Sequence, residues 1–205
     1  TLIPDFPKPY TVCAGNLSIP KSYKKKVKLI GPLLPVRPDE LPSREQLREK
    51  LRLPTNRPVI FAPISGPIRE RAFLTQVLSK ILVGFPHDYE VIMSLGNPES
   101  QSKPTVRDNV TIYGWVPNRF EYLKACDLVI GRAGHGTLTQ CFCYGKPMIL
   151  IPTPSHTEQI VNAKQVVDLG AAKIIQQDRL SREKLAAVAK QVLESQIPRR
   201  LEEIQ

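Results

Sequence analysis

Asp127-Leu128-Val129-Ile130-Gly131-Arg132-Ala133-Gly134-His135-Gly136-Thr137-Leu138-Thr139-Gln140 joins three signals. An apolar run ends in glycine, a glycine-rich turn follows, and a segment of helical character begins. The stretch reads as strand, loop and helix. Glycines let backbone approach a ligand closely and adopt positive φ. The first N–H groups of a helix lack intrahelical partners and carry the positive end of its dipole. Thr137 adds a hydroxyl, and Arg132 or His135 adds a donor. This chemistry suits a phosphate, and it equally serves a plain strand-to-helix turn. The spacing is neither the GxGxxG fingerprint nor a Walker A loop.

The same alternation continues on both sides. Strands are expected at 58–62, 89–93, 110–113, 127–130, 148–151 and 173–175. Helices are expected at 68–82, 119–125, about 136–144 and 157–169, with a last one capped by Ser181. Leu74, Val77, Leu78 and Ile81 fall at i, i+3, i+4 and i+7, one helix face. Ser43-Arg44-Glu45-Gln46 has the capping-box pattern, opening a short helix that ends before Pro54. Strands separated by helices of this length imply βαβ units. The expected fold is therefore α/β, a Rossmann-like, mostly parallel sheet with helices on both faces. Right-handed crossovers line up the loops after the strands along one edge, where open sheets bind ligands.

Three further loops sit on that edge. Pro63-Ile64-Ser65-Gly66-Pro67 offers Ser65 and Gly66, though Ser-Gly-Pro is also a common turn. Pro152-Thr153-Pro154-Ser155-His156-Thr157-Glu158-Gln159 presents Glu158 and Gln159 either to ligand hydroxyls or, for Glu158, simply to a helix dipole. Tyr113-Gly114-Trp115-Val116-Pro117-Asn118 places the single Trp as a core aromatic or as a stacking platform for a base. His87 reads as surface structure.

Composition bounds the rest. The 205 residues are 41% hydrophobic and 23% charged, enough to bury a core and inconsistent with a disordered chain. No run approaches the ~18–20 apolar residues of a membrane span. The chain opens at Thr1 with no signal-peptide pattern, so a processed product or a piece of a larger protein is expected. Twelve of the twenty prolines lie in residues 1–67, and residues 1–42 read as extended chain and linker, with short strands at Tyr10–Cys13 and Val27–Ile30. Through Arg57 there are twelve Lys and Arg against five Asp and Glu, centred on Lys24-Lys25-Lys26. A basic patch meets anionic lipid or nucleic acid, or is a solvated face. No nucleic-acid motif accompanies it, and no nucleic-acid partner is expected. Cys13, Cys126, Cys141 and Cys143 lack zinc-motif and CxxC spacing and read as free thiols in a reducing compartment. The sequons Asn16-Leu17-Ser18 and Asn109-Val110-Thr111 are expected to be chance matches. No metal cluster or Ser/His/Asp set stands out, so neither a metal nor a cofactor is expected.

Taken in order, these segments resemble the C-terminal domain of GT-B glycosyltransferases, MurG and related UDP-sugar transferases above all. Arg132-Ala133-Gly134-His135-Gly136-Thr137 with Gln140 is similar to the MurG segment Arg-Ser-Gly-Ala-Leu-Thr and its following Glu. Gly145-Lys146-Pro147, Ile151-Pro152, Glu158-Gln159 with Asn162-Ala163, and Gly170–Ile175 resemble the segments that come next. Trp115-x-Pro117-Asn118 is similar to the Trp-x-Pro-Gln of plant and animal transferases. The resemblance spans roughly residues 27–195.

It implies a UDP-sugar donor bound without metal, for a hexosyl transfer to an acceptor that is a candidate lipid-linked molecule. Trp115 and Val116 would line the uracil, and Asn118 and Gln140 the ribose. Gly134, His135, Gly136 and Thr137 would hold the diphosphate over Ser65 and Gly66. Glu158 and Gln159 would read sugar hydroxyls, and Arg132 or His135 would neutralise leaving-group charge. Gln140 replaces the family's acid, giving up a charge-assisted bond of ~1.5–3 kcal/mol for a neutral one of ~1 kcal/mol. Asn118 is shorter than the family's Gln.

By the same resemblance, residues 1–42 are the tail of an N-terminal domain plus linker, and 43–205 form the donor-binding domain. The acceptor site and the catalytic base, not identifiable here, would lie in an acceptor domain of the same full-length chain or in a partner subunit. The expected location is the cytoplasm, with an anionic membrane surface at its cytoplasmic face as a candidate partner. The competing readings are a UDP-sugar 2-epimerase-like enzyme and a non-catalytic nucleotide-sugar-binding subunit.

Overall fold

The computed structural model describes residues 1–17 and 19–202. Its centre is a sheet of seven strands: β3 (Val59–Pro63), β4 (Glu90–Ser94), β5 (Thr105–Arg107), β6 (Val110–Tyr113), β7 (Leu128–Gly131), β8 (Met148–Leu150) and β9 (Ala172–Ile174). Their spatial order is β5-β6-β4-β3-β7-β8-β9. All pairings are parallel except β5 with β6. The Rossmann-like α/β expectation holds.

The central strands β3, β7 and β8 are apolar on both faces because helices cover both. Successive residues of β3 divide between the layers. Val59 and Phe61 pack with Leu138 and Phe142 of α4 (His135–Cys143) and with Ala163 and Val166 of α5 (Thr157–Asp168). Ile60 and Ala62 pack with Leu74, Leu78 and Leu82 of α2 (Ile68–Leu82) and with Leu185 and Val192 of α6 (Arg182–Glu194). Each fully buried Val, Leu, Ile or Phe side chain among them contributes ~1.5–3 kcal/mol. Helix α1 (Arg44–Lys50) begins where the capping box placed it: Ser43 Oγ accepts from Gln46 N, and Gln46 Oε1 accepts from Ser43 N. Helix α3 (Arg119–Ala125) connects β6 to β7. Ser181 caps α6 by accepting from Lys184 N.

This layering positions the site. From β3 the chain enters α2 on one face, and from the adjacent β7 it enters α4 on the other. The loops after these two strands therefore diverge and open a crevice between them, the switch point where such sheets take ligands.

Several details depart from expectation. Tyr10–Cys13 forms a turn, not a strand, with Val12 fully buried. Strand β1 (Leu2–Ile3) instead pairs in parallel with β2 (Lys28–Leu29), apart from the main sheet. The Lys21–Lys26 segment is a 3-10 helix, and a further helix, α7 (Ile197–Glu202), follows α6. Of the cysteines, Cys126 and Cys141 are buried and Cys13 and Cys143 half-buried. Asn109 is buried, its amide donating to the carbonyls of Pro86 and Tyr89, so that sequon is closed to modification. In the other sequon Asn16 donates to Asn162 Oδ1, while Ser18 lies outside the described residues, as do 203–205 of the expected domain.

Candidate functional site

The crevice floor is Phe61 and Pro63 of β3. One half is lined by Ser65, Thr137, Gln140 and Arg119, the other by Ser65, Trp115, Val116 and Arg119. Five residues singled out in the sequence or in its resemblance, Ser65, Trp115, Val116, Thr137 and Gln140, thus meet in one place. Trp115 is 37% exposed, which excludes the core-aromatic alternative and leaves its indole open as a stacking surface. Val116 beneath it is buried.

Helix α4 opens onto the same edge. Its N-cap is Gly134, at φ −74° and ψ 139°, which supplies no side-chain cap. The amides of the first turn are therefore left to solvent or to a ligand. A Cβ built on Gly134 or Gly136 would meet no protein atom within 4 Å, so the space over this turn is open. Gly66 holds φ +111°, where an L side chain is strained, and it too faces open space.

Arg119 was not singled out in the sequence. It opens α3 directly after Asn118, lines both halves of the crevice, and stacks on Phe120 with 4.7 Å from its guanidinium carbon to the ring centroid. The one available signal was a cation at a helix start just beyond the Trp loop. Asn118 is not among the residues lining either half, and its amide donates to Glu121 Oε2 at 2.9 Å.

Arg132 and Gln159 are placed differently from the expectation of direct ligand contact. Arg132 is 7% exposed and points inward, with Nη1 donating to Ile151 O at 2.9 Å and Nη2 to Glu70 O at 3.2 Å. Burial lowers its pKa, against the opposing charge of Glu70. Gln159 Oε1 accepts from Thr153 N at 2.9 Å, and its amide donates to Glu70 Oε2 at 3.4 Å. Thr153 Oγ1 also donates to Glu70 Oε2. Together these bonds brace the loops after β7 and β8 against α2 and α5. Both side chains are buried, Arg132 in the loop after β7 and Gln159 in the first turn of α5, and so turn to partners within the protein. His156 caps α5, its Nδ1 accepting from Gln159 N. The Glu158 side chain is exposed.

His135 leads into a second cluster. Its Nε2 lies 3.3 Å from Oδ2 of Asp5, which the N-terminal segment carries to the start of α4. Asp5 is fully buried, yet its carboxylate is well served: Oδ1 accepts from the amides of Phe6 and Val12, and Oδ2 from that of Cys13. Burial raises the Asp5 pKa, but the contacts with His135 and Cys13 and the backbone amides outweigh it and hold the group ionised. Asp5 in turn raises His135. Burial, then Asp5, pushes the Cys13 thiol up to about 12. The segment is also anchored by Phe6 against Phe142, with ring centroids 5.9 Å apart, and by Asn16 on Asn162.

The profile of the glycosyltransferase family 28 C-terminal domain matches residues 69–202. A glycosyltransferase of Methanopyrus kandleri is 30% identical over 177 residues, 83% of this chain and 48% of its own length. The UDP-N-acetylglucosamine–N-acetylmuramyl-(pentapeptide) pyrophosphoryl-undecaprenol N-acetylglucosamine transferase of Bacillus cytotoxicus is 41% identical over 98 residues, 47% of this chain and 24% of that protein. Among solved structures, the calicheamicin glycosyltransferase CalG4 superposes with a TM-score of 0.65 at 16% identity, over 90% of this chain and 43% of that one. The glycosyltransferase of kitacinnamycin gives 0.67 at 20% identity, over 88% and 45%. The chain thus spans about half the length of the curated relatives it matches.

Proposed function

This chain belongs to the glycosyltransferase family 28 C-terminal domain family, and we propose that it is the donor-binding half of a hexosyltransferase that takes its sugar from UDP. The observation that carries the proposal is the open, uncapped first turn of α4 at the β3/β7 switch point. Gly134 adopts a backbone conformation that any residue tolerates, and a side chain there or at Gly136 would touch no protein atom. What the two glycines leave clear is room for a ligand. A helix N-terminus selects an anion for that room.

In this reading the diphosphate lies on the amides of Gly134–Thr137, with Thr137 Oγ1 as a further donor and Ser65 and Gly66 beneath. Uracil stacks on Trp115 beside Val116. Gln140 and Asn118 face the ribose, and Arg119 closes the crevice between base and phosphate. Glu158 is free to meet sugar hydroxyls. Gln159 and Arg132 act one step back, holding the Thr153 and Gly134 loops in place. As the glycosidic bond breaks, charge grows on the leaving phosphate. Preorganised amides and the dipole of α4 stabilise it without a metal. The relatives named above are transferases, which favours transfer over epimerisation.

The attacking acceptor and its base belong to the other half of the enzyme, in the same full-length chain or in a partner subunit. On this reading residues 1–42 are the tail of that acceptor domain and the linker, and residues from 43 onward are the donor domain. The 3-10 turn Lys21–Lys26 exposes Lys21, Lys24, Lys25 and Lys26 beside Tyr23. Such cations gain about 1 kcal/mol each at an anionic lipid surface. We place this turn at the cytoplasmic face of a membrane, where a lipid-linked acceptor would be met. Among the described residues no helix is long and apolar enough to cross one.

The test is a titration of the protein with UDP, ADP and GDP, with and without magnesium. Preference for UDP, indifferent to magnesium, supports the assignment. No binding by any of the three, or equal binding of all, removes it.

A further inference from the structure

Asp5, Cys13 and His135 come from two distant parts of the sequence, yet a carboxylate oxygen, the thiol sulfur and an imidazole nitrogen lie within 4.8 Å of one another. We propose that these three side chains form a binding site for a thiophilic divalent cation of the zinc class, clamping the N-terminal segment to the first turn of α4.

The ligand set is chemically apt. Carboxylate, thiolate and imidazole are the three protein groups that bind zinc. Magnesium and calcium want oxygen-only shells and are poorly served here. The oxygen–nitrogen separation fits as well. In a tetrahedral site with metal–oxygen and metal–nitrogen bonds of about 2.0 Å, the oxygen and nitrogen stand about 3.3 Å apart. Oδ2 of Asp5 and Nε2 of His135 are 3.3 Å apart.

Nε2 is also the unsatisfied atom of the cluster. It is buried, and its approach to Asp5 at 3.3 Å falls outside hydrogen-bond geometry. A buried imidazole nitrogen aimed at an anionic oxygen and a thiol, without a hydrogen bond to either, is what a shared cation would explain. Asp5 is already fixed for the task. Two backbone amides hold Oδ1 and one holds Oδ2, so the carboxylate is locked in place with Oδ2 turned to the other two ligands. Three protein ligands leave a fourth position for water. The site adjoins the donor crevice but does not depend on what that crevice binds.

The test uses the whole chain, freed of metal by a chelator and titrated with Co²⁺ under reducing conditions. The expected result is one equivalent bound, with a thiolate-to-cobalt charge-transfer band and the intense visible bands of tetrahedral cobalt, displaced by Zn²⁺ and not by Mg²⁺. Cys13→Ser should abolish the charge-transfer band. His135→Gln should weaken cobalt binding more than about a hundredfold, beyond what loss of an outer-shell partner costs. Cys143→Ser, at another half-exposed thiol, should leave the band in place. Circular dichroism of each variant establishes that it is folded. No charge-transfer band in the folded wild-type chain overturns the site, as does a band that survives Cys13→Ser or disappears with Cys143→Ser. If Cys13→Ser fails to fold, wild type and His135→Gln decide: equal cobalt affinity in the two overturns the site.

Discussion

Arg132 and Ile151, just past the ends of neighbouring strands β7 and β8, are joined by a buried bond of 2.9 Å from guanidinium to carbonyl. With its second bond to Glu70 O, Arg132 ties the loops after β7 and β8 to the first turn of α2. Replacing it by Met leaves two carbonyls short of a charged donor. Arg132→Met should cost about 1.5–3 kcal/mol, a typical range for hydrogen bonds to charged groups. Urea unfolding measures this, and a cost near zero would show that the brace is not needed.

The open turn of α4 makes a prediction of opposite sign. Gly136 lies in the first turn of α4 and has a clear Cβ position. Gly136→Ala should hold or raise stability by about 0.5 kcal/mol, because alanine loses less backbone entropy in a helix. The same methyl group should weaken UDP binding, since it fills space assigned to the diphosphate. Thermal unfolding and calorimetry on one sample separate the two effects.

Thr137 and Gln140 each bring one polar side chain to the crevice. Thr137→Ala and Gln140→Ala should each lower UDP affinity about fivefold, the worth of one neutral hydrogen bond of ~1 kcal/mol, with unchanged unfolding midpoints. Unaltered affinity in both variants would remove them from the site.

Asp127 stands at the opposite edge of the sheet. It accepts from Arg44, from Arg48 and, at 2.7 Å, from the amide of Val59. The Arg48 side chain is only 6% exposed, so removing its counter-ion strands a buried charge. Asp127→Ala should cost about 3–5 kcal/mol. Because the site lies at the other end of the strands, nucleotide affinity of the folded fraction should not change.

Stability should fall in alkali. Burial pushes the Cys126 thiol from 9.0 up to about 11. Burial, reinforced by Glu40, takes the Tyr144 phenol from 10.0 up to about 12, and its hydroxyl donates to Val36 O. Between the ordinary and the raised values the unfolded chain has lost these protons and the folded chain has kept them. Stability from both groups is thus complete below about pH 9 and is lost as pH rises through about 11 and about 12. Unfolding midpoints across this range check it, and Tyr144→Phe should flatten the upper part.

Much of this was legible in the residues themselves, where the determining physics is local. The capping box at Ser43 and Gln46 marks α1 within four residues, and the apolar spacing of Leu74, Leu78 and Ile81 marks α2. Strand β5 was missed because Thr105, Val106 and Arg107 are all exposed and show no alternation. Its signal was the Asp108-Asn109 hairpin turn, with Asp108 at φ 51°. The places of Arg132 and Gln159 were not legible, because their partners are set by the fold. Glu70 lies 62 and 89 residues away from them. Asp5 and His135 meet across a still longer gap, which no motif spacing could reveal.

The central claim is that the β3/β7 crevice is a uridine nucleotide site. Its most direct test is calorimetric titration of the chain with UDP, ADP and GDP, repeated with magnesium. The account predicts one UDP per chain, bound at least about tenfold more tightly than ADP or GDP, a margin of about 1.4 kcal/mol, and unchanged by magnesium. Equal affinity for the three bases, or binding that requires magnesium, would contradict it.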